Sequence, residues 1–322
     1  MRSLTSSLGS RRGGAPRSSS SVGMASGVGA YGLWGLFPAF FGVLSFAGPV
    51  EVLAHRIVWT LVLMLVVLAV LGRLSTLRGL PARTWGVVAL SSAFISINWG
   101  VYIYAVSQDR VVEAALGYFI NPLVSVLLGV VVFRERLGRA QIAALALAFV
   151  AVVVLTVDYG RPPVIALTLA FSFALYGVMK KVVRLEPTTS LTAEGLVGAP
   201  IAIGYLVVLG VTGGASALSL GVPHALLLVL AGPVTALPLL LFGVAAQKLP
   251  LVTLGLLQYL TPGLQLAWGV LVLNEDMPAS RWIGFALIWC ALAIFTVDSV
   301  RRLRAHRVAS VPVEAASADT PR

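Results

Sequence analysis

Two stretches of this chain match one another 140 positions apart, and this internal repeat is the strongest constraint on its fold. The first stretch runs from Tyr118 through Pro122 to Glu135, and the second from Gln258 through Pro262 to Glu275. The register continues to the end of each half, where Thr156-Val157-Asp158 corresponds to Thr296-Val297-Asp298. Because both copies are very apolar, the repeat predicts a duplicated membrane module. Membrane proteins of this kind commonly bind their substrate between the two copies.

The composition excludes an ordinary soluble domain. Of the 322 residues 58% are hydrophobic and 11% are charged, against roughly 25% charged in a soluble domain. The net charge of +11 does not indicate nucleic-acid binding, because the basic residues lie between apolar runs and are typical of topology signals. Cys290 is the only cysteine, and His55, His224 and His306 are scattered. We therefore expect neither a metal site nor a bound cofactor.

Apolar runs of about 20 residues, the length that crosses a bilayer, recur along the whole chain. They predict ten spans: 25–46, 50–72, 84–106, 111–133, 137–157, 162–181, 190–211, 223–246, 250–273 and 280–298. With the N-terminus inside the cell, 19 of the 23 Lys and Arg residues fall on the inner side. Arg110, Arg161 and Arg281 fall outside, and Arg56 lies within a span. By the positive-inside rule we expect both termini to be cytoplasmic. We also expect the protein to lie in the plasma (inner) membrane.

An odd number of spans in each half forces the second copy to cross the membrane upside down. The expected fold is thus an all-α membrane protein whose ten transmembrane helices form two inverted five-helix repeats, residues 24–158 and 159–299. The inner segment Phe133-Arg134-Glu135-Arg136 corresponds to the outer segment Leu273-Asn274-Glu275-Asp276, which has lost its arginines as inversion requires. Residues 1–23 and 300–322 are expected to be basic, disordered tails.

Four motifs in the first half resemble the RarD-type permeases of the EamA family, in the drug/metabolite transporter superfamily. They are Ala30-Tyr31-Gly32-Leu33-Trp34-Gly35-Leu36-Phe37-Pro38, Glu51-Val52-Leu53-Ala54-His55-Arg56-Ile57-Val58-Trp59, Asn98-Trp99-Gly100-Val101-Tyr102-Ile103-Tyr104 and Glu113-Ala114-Ala115-Leu116-Gly117-Tyr118-Phe119-Ile120-Asn121-Pro122-Leu123. The second half matches more loosely. The resemblance implies a ten-helix permease of duplicated modules, related to chloramphenicol sensitivity or drug resistance, and leaves the cargo undefined.

Polar side chains inside the predicted spans are the candidates for a transport pathway, because a charged group at bilayer depth costs about 2.5–3.5 kcal/mol and usually faces a partner or a cavity. Arg56 lies about 9 Å into the second span at 1.5 Å per residue. We expect it to form an ion pair with Glu113 in the outer half of the membrane. The candidate pathway residues are His55, Arg56, Asn98, Tyr102, Glu113, Tyr118, Asn121, Gln258 and Tyr259, with helix breaks at Pro122 and Pro262.

Structural roles compete with these assignments. Glu51 could cap the second span, and His55, one turn later, could be its structural partner. Asn121 and Thr261 each precede a proline, so each could satisfy the backbone carbonyl that the proline leaves unbonded. The Arg56–Glu113 pair could be a structural clamp. Glycines such as Gly117, Gly129 and Gly269 are expected to permit close helix contact.

Two classes of function remain. The favoured class is a secondary transporter that moves a small organic metabolite or drug-like solute by alternating access. The alternative is a membrane-embedded enzyme acting on a lipid or isoprenoid, but the chain has no His-Glu-x-x-His, no Gly-x-Ser-x-Gly and no Walker lysine. We therefore expect no enzymatic activity. The expected partners are the lipid bilayer and a small-molecule substrate. Formation of a homodimer is left open. Substrate identity, direction and proton coupling are left open.

Overall fold

The computed structural model describes residues 19–309 except 135, 136, 184 and 250, and in this part of the chain every regular element is a helix. The helices are α1 (Ser19–Gly35), α2 (Phe37–Val43), α3 (Pro49–Val70), α4 (Ser75–Arg78), α5 (Ala82–Ser107), α6 (Val111–Phe133), α7 (Arg139–Tyr159), α8 (Val164–Val183), α9 (Pro187–Val211), α10 (Ser216–Ser219), α11 (Val222–Lys248), α12 (Leu251–Leu257), α13 (Leu260–Leu271) and α14 (Ala279–Ala309). A 3-10 turn, Leu44–Phe46, follows α2.

Eight of the described helices are long and apolar enough to cross a membrane: α3, α5, α6, α7, α8, α9, α11 and α14. The pair α1 and α2 adds a ninth if its two parts, bent by 41°, form one span. The remaining predicted span, 250–273, is the pair α12 and α13. The all-helical membrane fold is thus confirmed, with eight or nine candidate spans among the described residues.

The two helix breaks predicted at prolines, Pro262 and Pro122, have different outcomes in the structure. The missing N–H of Pro262 cannot bond to the carbonyl of Gln258, four residues earlier, and the chain is interrupted there between α12 and α13. The predicted break at Pro122 was wrong as an interruption, because Pro122 lies inside the continuous helix α6. Helix α6 packs against α8 and α13, and such neighbours allow a membrane helix to tolerate an internal proline.

The first and last helices extend beyond the predicted spans. Helix α1 begins at Ser19, inside the segment predicted as the N-terminal tail, and its Gly23 packs against Lys248 and Leu249 at the end of α11. Helix α14 continues to Ala309. Residues 1–18 and 310–322, the remainder of the two predicted tails, lie outside the described residues.

Helices at corresponding positions in the two halves make corresponding contacts. Helices α5 and α6 of the first half pack against α8, and their counterparts α11 and α13 pack against α1. Equivalent helices also meet each other directly, as α3 meets α9, α6 meets α13 and α7 meets α14. The first helix of each half therefore lies against the other half, and the interface between the halves runs through the centre of the bundle.

The outer surface of the bundle is apolar, and its largely apolar interior also contains buried polar and charged side chains. Ile201 and Val211 are 79% and 84% exposed, whereas Arg56, Asn98 and Glu194 are only 1–3% exposed. An apolar surface of this kind suits the hydrocarbon core of a bilayer. Polar groups in that environment must find their hydrogen-bond partners inside the protein. The chain is a multi-pass membrane protein.

Loops that the charge distribution assigns to one side of the membrane meet at one end of the bundle. At the predicted outer end, the Glu51 carboxylate accepts a hydrogen bond from the backbone N–H of Ser216 at 2.8 Å. At the predicted inner end, the loop after α3 meets the start of α9 through an ion pair between Arg73 and Glu186. We keep the terms outer end and inner end in this predicted sense below.

Candidate functional site

A buried arginine lies at the interface between the two halves. Arg56 on α3 is 2% exposed, and its Nε donates a hydrogen bond to Oγ1 of Thr235 on α11 at 2.8 Å. Its guanidinium carbon lies 4.1 Å from the ring centroid of Trp99 on α5. Arg56 therefore joins α3 of the first half to α11 of the second half.

Aromatic rings enclose the same guanidinium from a third helix. The ring centroids of Phe37 and Phe41 on α2 lie 5.3 and 5.1 Å from its central carbon. Contacts of a cation with ring faces stabilise it by about 0.5–2 kcal/mol each. The bend at Leu36, just ahead of Pro38, turns α2 away from the axis of α1, and Phe37 and Phe41 lie on the helix that begins after this bend.

Next to this cage lies a set of polar side chains from α5 and α6. Tyr118 donates from its hydroxyl to Oδ1 of Asn98 at 3.2 Å, and Asn98 donates from Nδ2 to the carbonyl of Leu169 on α8 at 3.0 Å. The ring of Tyr102 lies 5.9 Å from that of Tyr118 and 6.1 Å from that of Phe41. We call Arg56, Asn98, Trp99, Tyr102, Tyr118 and Thr235 the central site.

A small cavity lies under Trp99, on the side of the central site that faces the inner end. Its volume is about 20 Å³, and Thr60 and Glu194 contribute to its lining. Such a volume holds about one water molecule and no organic solute.

The structure contradicts the predicted ion pair between Arg56 and Glu113. Glu113 lies in the first turn of α6, where it pairs with Arg110 and, at 3.5 Å, with Arg161, and it accepts a hydrogen bond from the N–H of Ile165 at 3.1 Å. Arg56 instead points to α5 and α11. Glu113 is thus held by groups from the loops and the helix ends, whereas the partners of Arg56 lie within α2, α5 and α11.

Glu113 belongs to a charged cluster at the outer end that joins the two halves. Arg281 at the start of α14 donates from Nε to Oδ2 of Asp158 on α7 at 2.9 Å, and Ser280 also bonds to Asp158. An open cavity of about 370 Å³ lies within the cluster. It is lined by Asp109, Arg110, Glu113, Tyr159, Leu273, Asn274, Glu275, Asp276 and Arg281.

Glu275 caps the N-terminus of α6 from the opposite half. Its carboxylate accepts hydrogen bonds from the backbone N–H groups of Val111 at 2.6 Å and Val112 at 3.1 Å. A negative group is favourable there because the first N–H groups of a helix have no partner within the helix. Burial, the largest effect, nevertheless raises the pKa of Glu275 from 4.5 to about 7, with nearby Asp109 adding to the rise and Arg281 opposing it.

We predict that Glu275 makes the protein less stable as pH rises towards neutrality. The unfolded chain releases this proton near pH 4.5 and the folded chain near pH 7, so between these values the folded state binds more protons and the free energy of unfolding falls with pH. The thermal midpoint of the full chain in mild detergent, measured from pH 4.5 to 8, should fall less steeply in Glu275→Gln. Parallel pH profiles for the wild type and the variant would contradict this role.

A further buried charge, not predicted from the sequence, lies near the inner end. Glu194 on α9 is 3% exposed and pairs with Lys180 on α8 at 2.5 Å. It also accepts hydrogen bonds from Ser91 at 2.7 Å and from the hydroxyl of Tyr176 at 3.3 Å. We call Ser91, Tyr176, Lys180 and Glu194 the inner site. The signal that could have found it is an acid inside an apolar run, since such residues usually face a cavity or a partner.

Several other predicted residues act between helices. Asn121 donates to the carbonyl of Ala170 on α8 at 3.1 Å, and Thr261 donates to the carbonyl of Tyr31 on α1 at 2.8 Å. The alternative in which each satisfies the carbonyl freed by the next proline was therefore wrong. Such bonds hold membrane helices together.

Three further residues were expected along the transport pathway. His55 accepts a hydrogen bond from the indole N–H of Trp59 at 3.3 Å. Gln258 and Tyr259 lie at the break between α12 and α13, outside the central site as defined above.

No group of three or more His, Cys, Asp or Glu side chains that could hold a metal ion occurs among the described residues. Cys290, on α14, is exposed. The polar groups that the fold brings together are thus an arginine, an amide, hydroxyls and a lysine–glutamate pair. They can bind and orient a solute by charge and hydrogen bonds.

The all-helical bundle with an apolar surface is that of a multi-pass membrane protein, and comparison with known proteins shows which class of membrane protein it is. The model of the EamA-like transporter family matches residues 21–157. Protein RarD of Streptomyces exfoliatus is 50% identical over 288 residues, which cover 89% of this chain and 91% of that protein. The uncharacterized transporter YojE of Bacillus subtilis (strain 168) is 44% identical over 281 residues, 85% of this chain and 93% of that protein.

The chain belongs to the RarD-type permeases of the EamA-like transporter family. A solved crystal structure shares the fold with a TM-score of 0.57 and 19% sequence identity, over 86% of this chain and 98% of that chain. The resemblance predicted from the four sequence motifs is thereby confirmed.

Proposed function

We propose that this permease is a secondary transporter that moves a small organic solute across the plasma membrane by alternating access. The two moving bodies are the inverted repeats, residues 24–158 and 159–299, and the solute binds at the central site between them. The remaining predicted pathway residues, His55, Glu113, Asn121, Gln258 and Tyr259, line the route or hold its walls together. Both termini are cytoplasmic in this proposal.

The observation that carries the proposal is the position of Arg56. It is buried inside the bundle, and its contacts come from α2, α3 and α5 of the first half and from α11 of the second. A group that touches both halves changes its surroundings whenever one half moves against the other. That position is where transporters built from repeats bind their substrates.

The packing pattern supports the repeat. Exchange of the halves converts the contacts of α5 and α6 with α8 into those of α11 and α13 with α1. The equivalent residues Asn121 and Thr261 bond in the same way to the first helix of the opposite half, through the carbonyls of Ala170 and Tyr31. Charged contacts at both ends, the outer-end cluster and the inner site, are placed where gates must open and close in turn.

The proposal is tested by comparing the metabolites inside and outside bacterial cells that carry either the gene or an empty vector. Untargeted mass spectrometry should find at least one small organic compound whose ratio between medium and cytoplasm changes with expression. Total membrane amounts of the protein are measured in parallel, so that poor insertion is recognised. If the protein inserts normally and no compound is redistributed, transport of a metabolite is wrong.

The proposed topology predicts opposite labelling of two serine positions. Ser75, at the start of α4, lies on the inner side and Ser219, at the end of α10, on the outer side, and both are exposed. In a chain carrying Cys290→Ala, an impermeant thiol reagent added to whole cells should label Ser219→Cys and leave Ser75→Cys unlabelled until the cells are opened. Labelling of both variants in intact cells would contradict the topology.

A further inference from the structure

The charge of Arg56 has no acidic partner in the described part of the protein. Its hydrogen bond goes from Nε to the neutral hydroxyl of Thr235, and its other neighbours are the rings of Phe37, Phe41 and Trp99. Within the described structure Arg56 therefore donates a hydrogen bond through Nε alone. A guanidinium carries five N–H donors in a planar fork that suits carboxylate and phosphate.

The acidic side chains of the bundle interior are engaged elsewhere. Glu113 pairs with Arg110 and Arg161 at the outer end. Glu194 pairs with Lys180 at the inner site. Buried charges are normally paired or bound to a ligand, because removing a lone charge from water is unfavourable. The positive charge of the Arg56 guanidinium is therefore not compensated by an acidic side chain among the described residues.

A second donor without a partner lies beside this charge. The hydroxyl of Tyr102 is buried, with the residue 1% exposed, and has no hydrogen-bond partner among the described residues. Tyr102 and Arg56 share Phe41 as a neighbour, since the centroid of the Phe41 ring lies 6.1 Å from that of Tyr102 and 5.1 Å from the guanidinium carbon of Arg56. Thr60, one turn after Arg56 on the same face of α3, also has a buried hydroxyl that bonds to none of the described residues. Buried polar groups that lack partners are rare in folded proteins and call for an explanation.

We propose that the central site recognises an organic anion, with the carboxylate or other anionic group of the solute held by Arg56 and the hydroxyl of Tyr102. The proposal rests on the transport function proposed above and names the class of its substrate. The anion would supply both missing partners at once, the counter-charge for the guanidinium and an acceptor for the hydroxyl. The rings of Phe37, Phe41 and Trp99 would surround the adjoining apolar part of the solute.

The same arrangement disfavours the other two classes of solute. A cation at this position would be repelled by Arg56, since like charges inside the low dielectric of a protein interact strongly. A neutral solute would leave the charge of Arg56 uncompensated. A charged site of this kind therefore selects anions by attraction and excludes cations by repulsion.

The experiment uses the cell's own metabolite pool as the probe. Cells that express the wild type, Arg56→Gln or the matched control Arg78→Gln are compared with vector cells by untargeted mass spectrometry in both ion modes. Arg78 lies on the exposed short helix α4. The compounds redistributed by the wild type should carry net negative charge at pH 7, Arg78→Gln should redistribute them equally, and Arg56→Gln should not.

A second pair of variants separates binding from folding. Tyr102→Phe removes a hydroxyl that bonds to no described residue, so a merely structural Tyr102 predicts unchanged transport. The proposal instead predicts that the concentration of the redistributed anion giving half-maximal transport rises about tenfold or more, because a hydrogen bond to a charged group is lost. Tyr104→Phe, two residues away on α5 and 46% exposed, should leave it unchanged.

The outcomes distinguish the inference from the proposed function. If no compound is redistributed by the wild type, the transport function itself fails. If the redistributed compounds are cations or neutral molecules, or if anions are redistributed equally by Arg56→Gln, transport stands and the anion site is wrong. If Arg56→Gln does not reach the membrane, Tyr102→Phe decides, and unchanged half-maximal transport in that variant overturns the proposal.

Discussion

Lys180→Met is expected to destabilise the permease by about 3 kcal/mol, because it leaves the carboxylate of Glu194 buried without its cation. Glu194 is 3% exposed while the side chain of Lys180 is 29% exposed and lies near the inner end of α8. The two partners are therefore not equivalent. Without Glu194, the lysine can extend towards the headgroups, whereas without Lys180 the carboxylate cannot leave the bundle. Glu194→Gln should cost less than Lys180→Met.

Thermal or denaturant unfolding of the full chain in mild detergent measures these differences. The double variant Lys180→Met/Glu194→Gln should recover at least half of the stability lost in Lys180→Met, since no charge is then left buried. Arg73→Met is the matched control, because Arg73 and Glu186 form an ion pair at the same end with both side chains 48% exposed. Exposed pairs contribute about 0–1 kcal/mol. Equal losses in Arg73→Met and Lys180→Met would refute the importance of burial at the inner site.

Gly117→Ala is expected to destabilise the permease by about 2–3 kcal/mol through overpacking between α6 and α8. A Cβ atom at Gly117 would lie 2.7 Å from the carbonyl oxygen of Ala166 and 2.9 Å from the Cβ of Leu169. Backbone atoms cannot move aside as the end of a side chain can, so the two helices must separate. That movement would also lengthen the bond from Asn98 to the carbonyl of Leu169, next to Arg56 in the central site.

Gly177→Ala on α8 is the control for this prediction, because a Cβ atom there meets no atom within 4 Å. Alanine is a better helix former than glycine by about 1 kcal/mol, so Gly177→Ala should leave the protein as stable as the wild type or slightly more stable. Thermal midpoints of the two variants in the same detergent give the comparison. A Gly117→Ala variant as stable as Gly177→Ala would show that close approach of α6 and α8 is not required.

The fold class could be predicted from the sequence because membrane helices are encoded locally. In a bilayer each span must satisfy its own backbone hydrogen bonds, so a run of apolar residues is nearly sufficient to specify a helix. The matching apolar motifs around Tyr118 and Gln258 likewise predict a duplicated membrane module. The interpretation of Gly117 as a residue of close helix contact was likewise confirmed, because small residues allow membrane helices to approach.

Side-chain partners could not be predicted in this way. Residue spacing placed Arg56 and Glu113 in the outer half of the membrane, and the ion pair was expected because each charge would be costly there alone. In the structure Arg56 instead lies among aromatic rings and donates a hydrogen bond to Thr235, which is 179 positions away in the chain. Sequence depth is a one-dimensional quantity, whereas the direction of a side chain around its helix is set by which neighbouring helices that helix meets.

The sequence by itself determined that this chain is a helical membrane protein and that its charged loops separate into two groups, and it predicts that its halves are related. Each of these properties depends on local composition or on the comparison of one segment with another. Tertiary structure alone decided that Arg56 is buried without an acid among the described residues, that Glu194 pairs with Lys180, and that Glu275 caps a helix of the opposite half. These are contacts between segments far apart in the chain, and they exist only once the helices have packed.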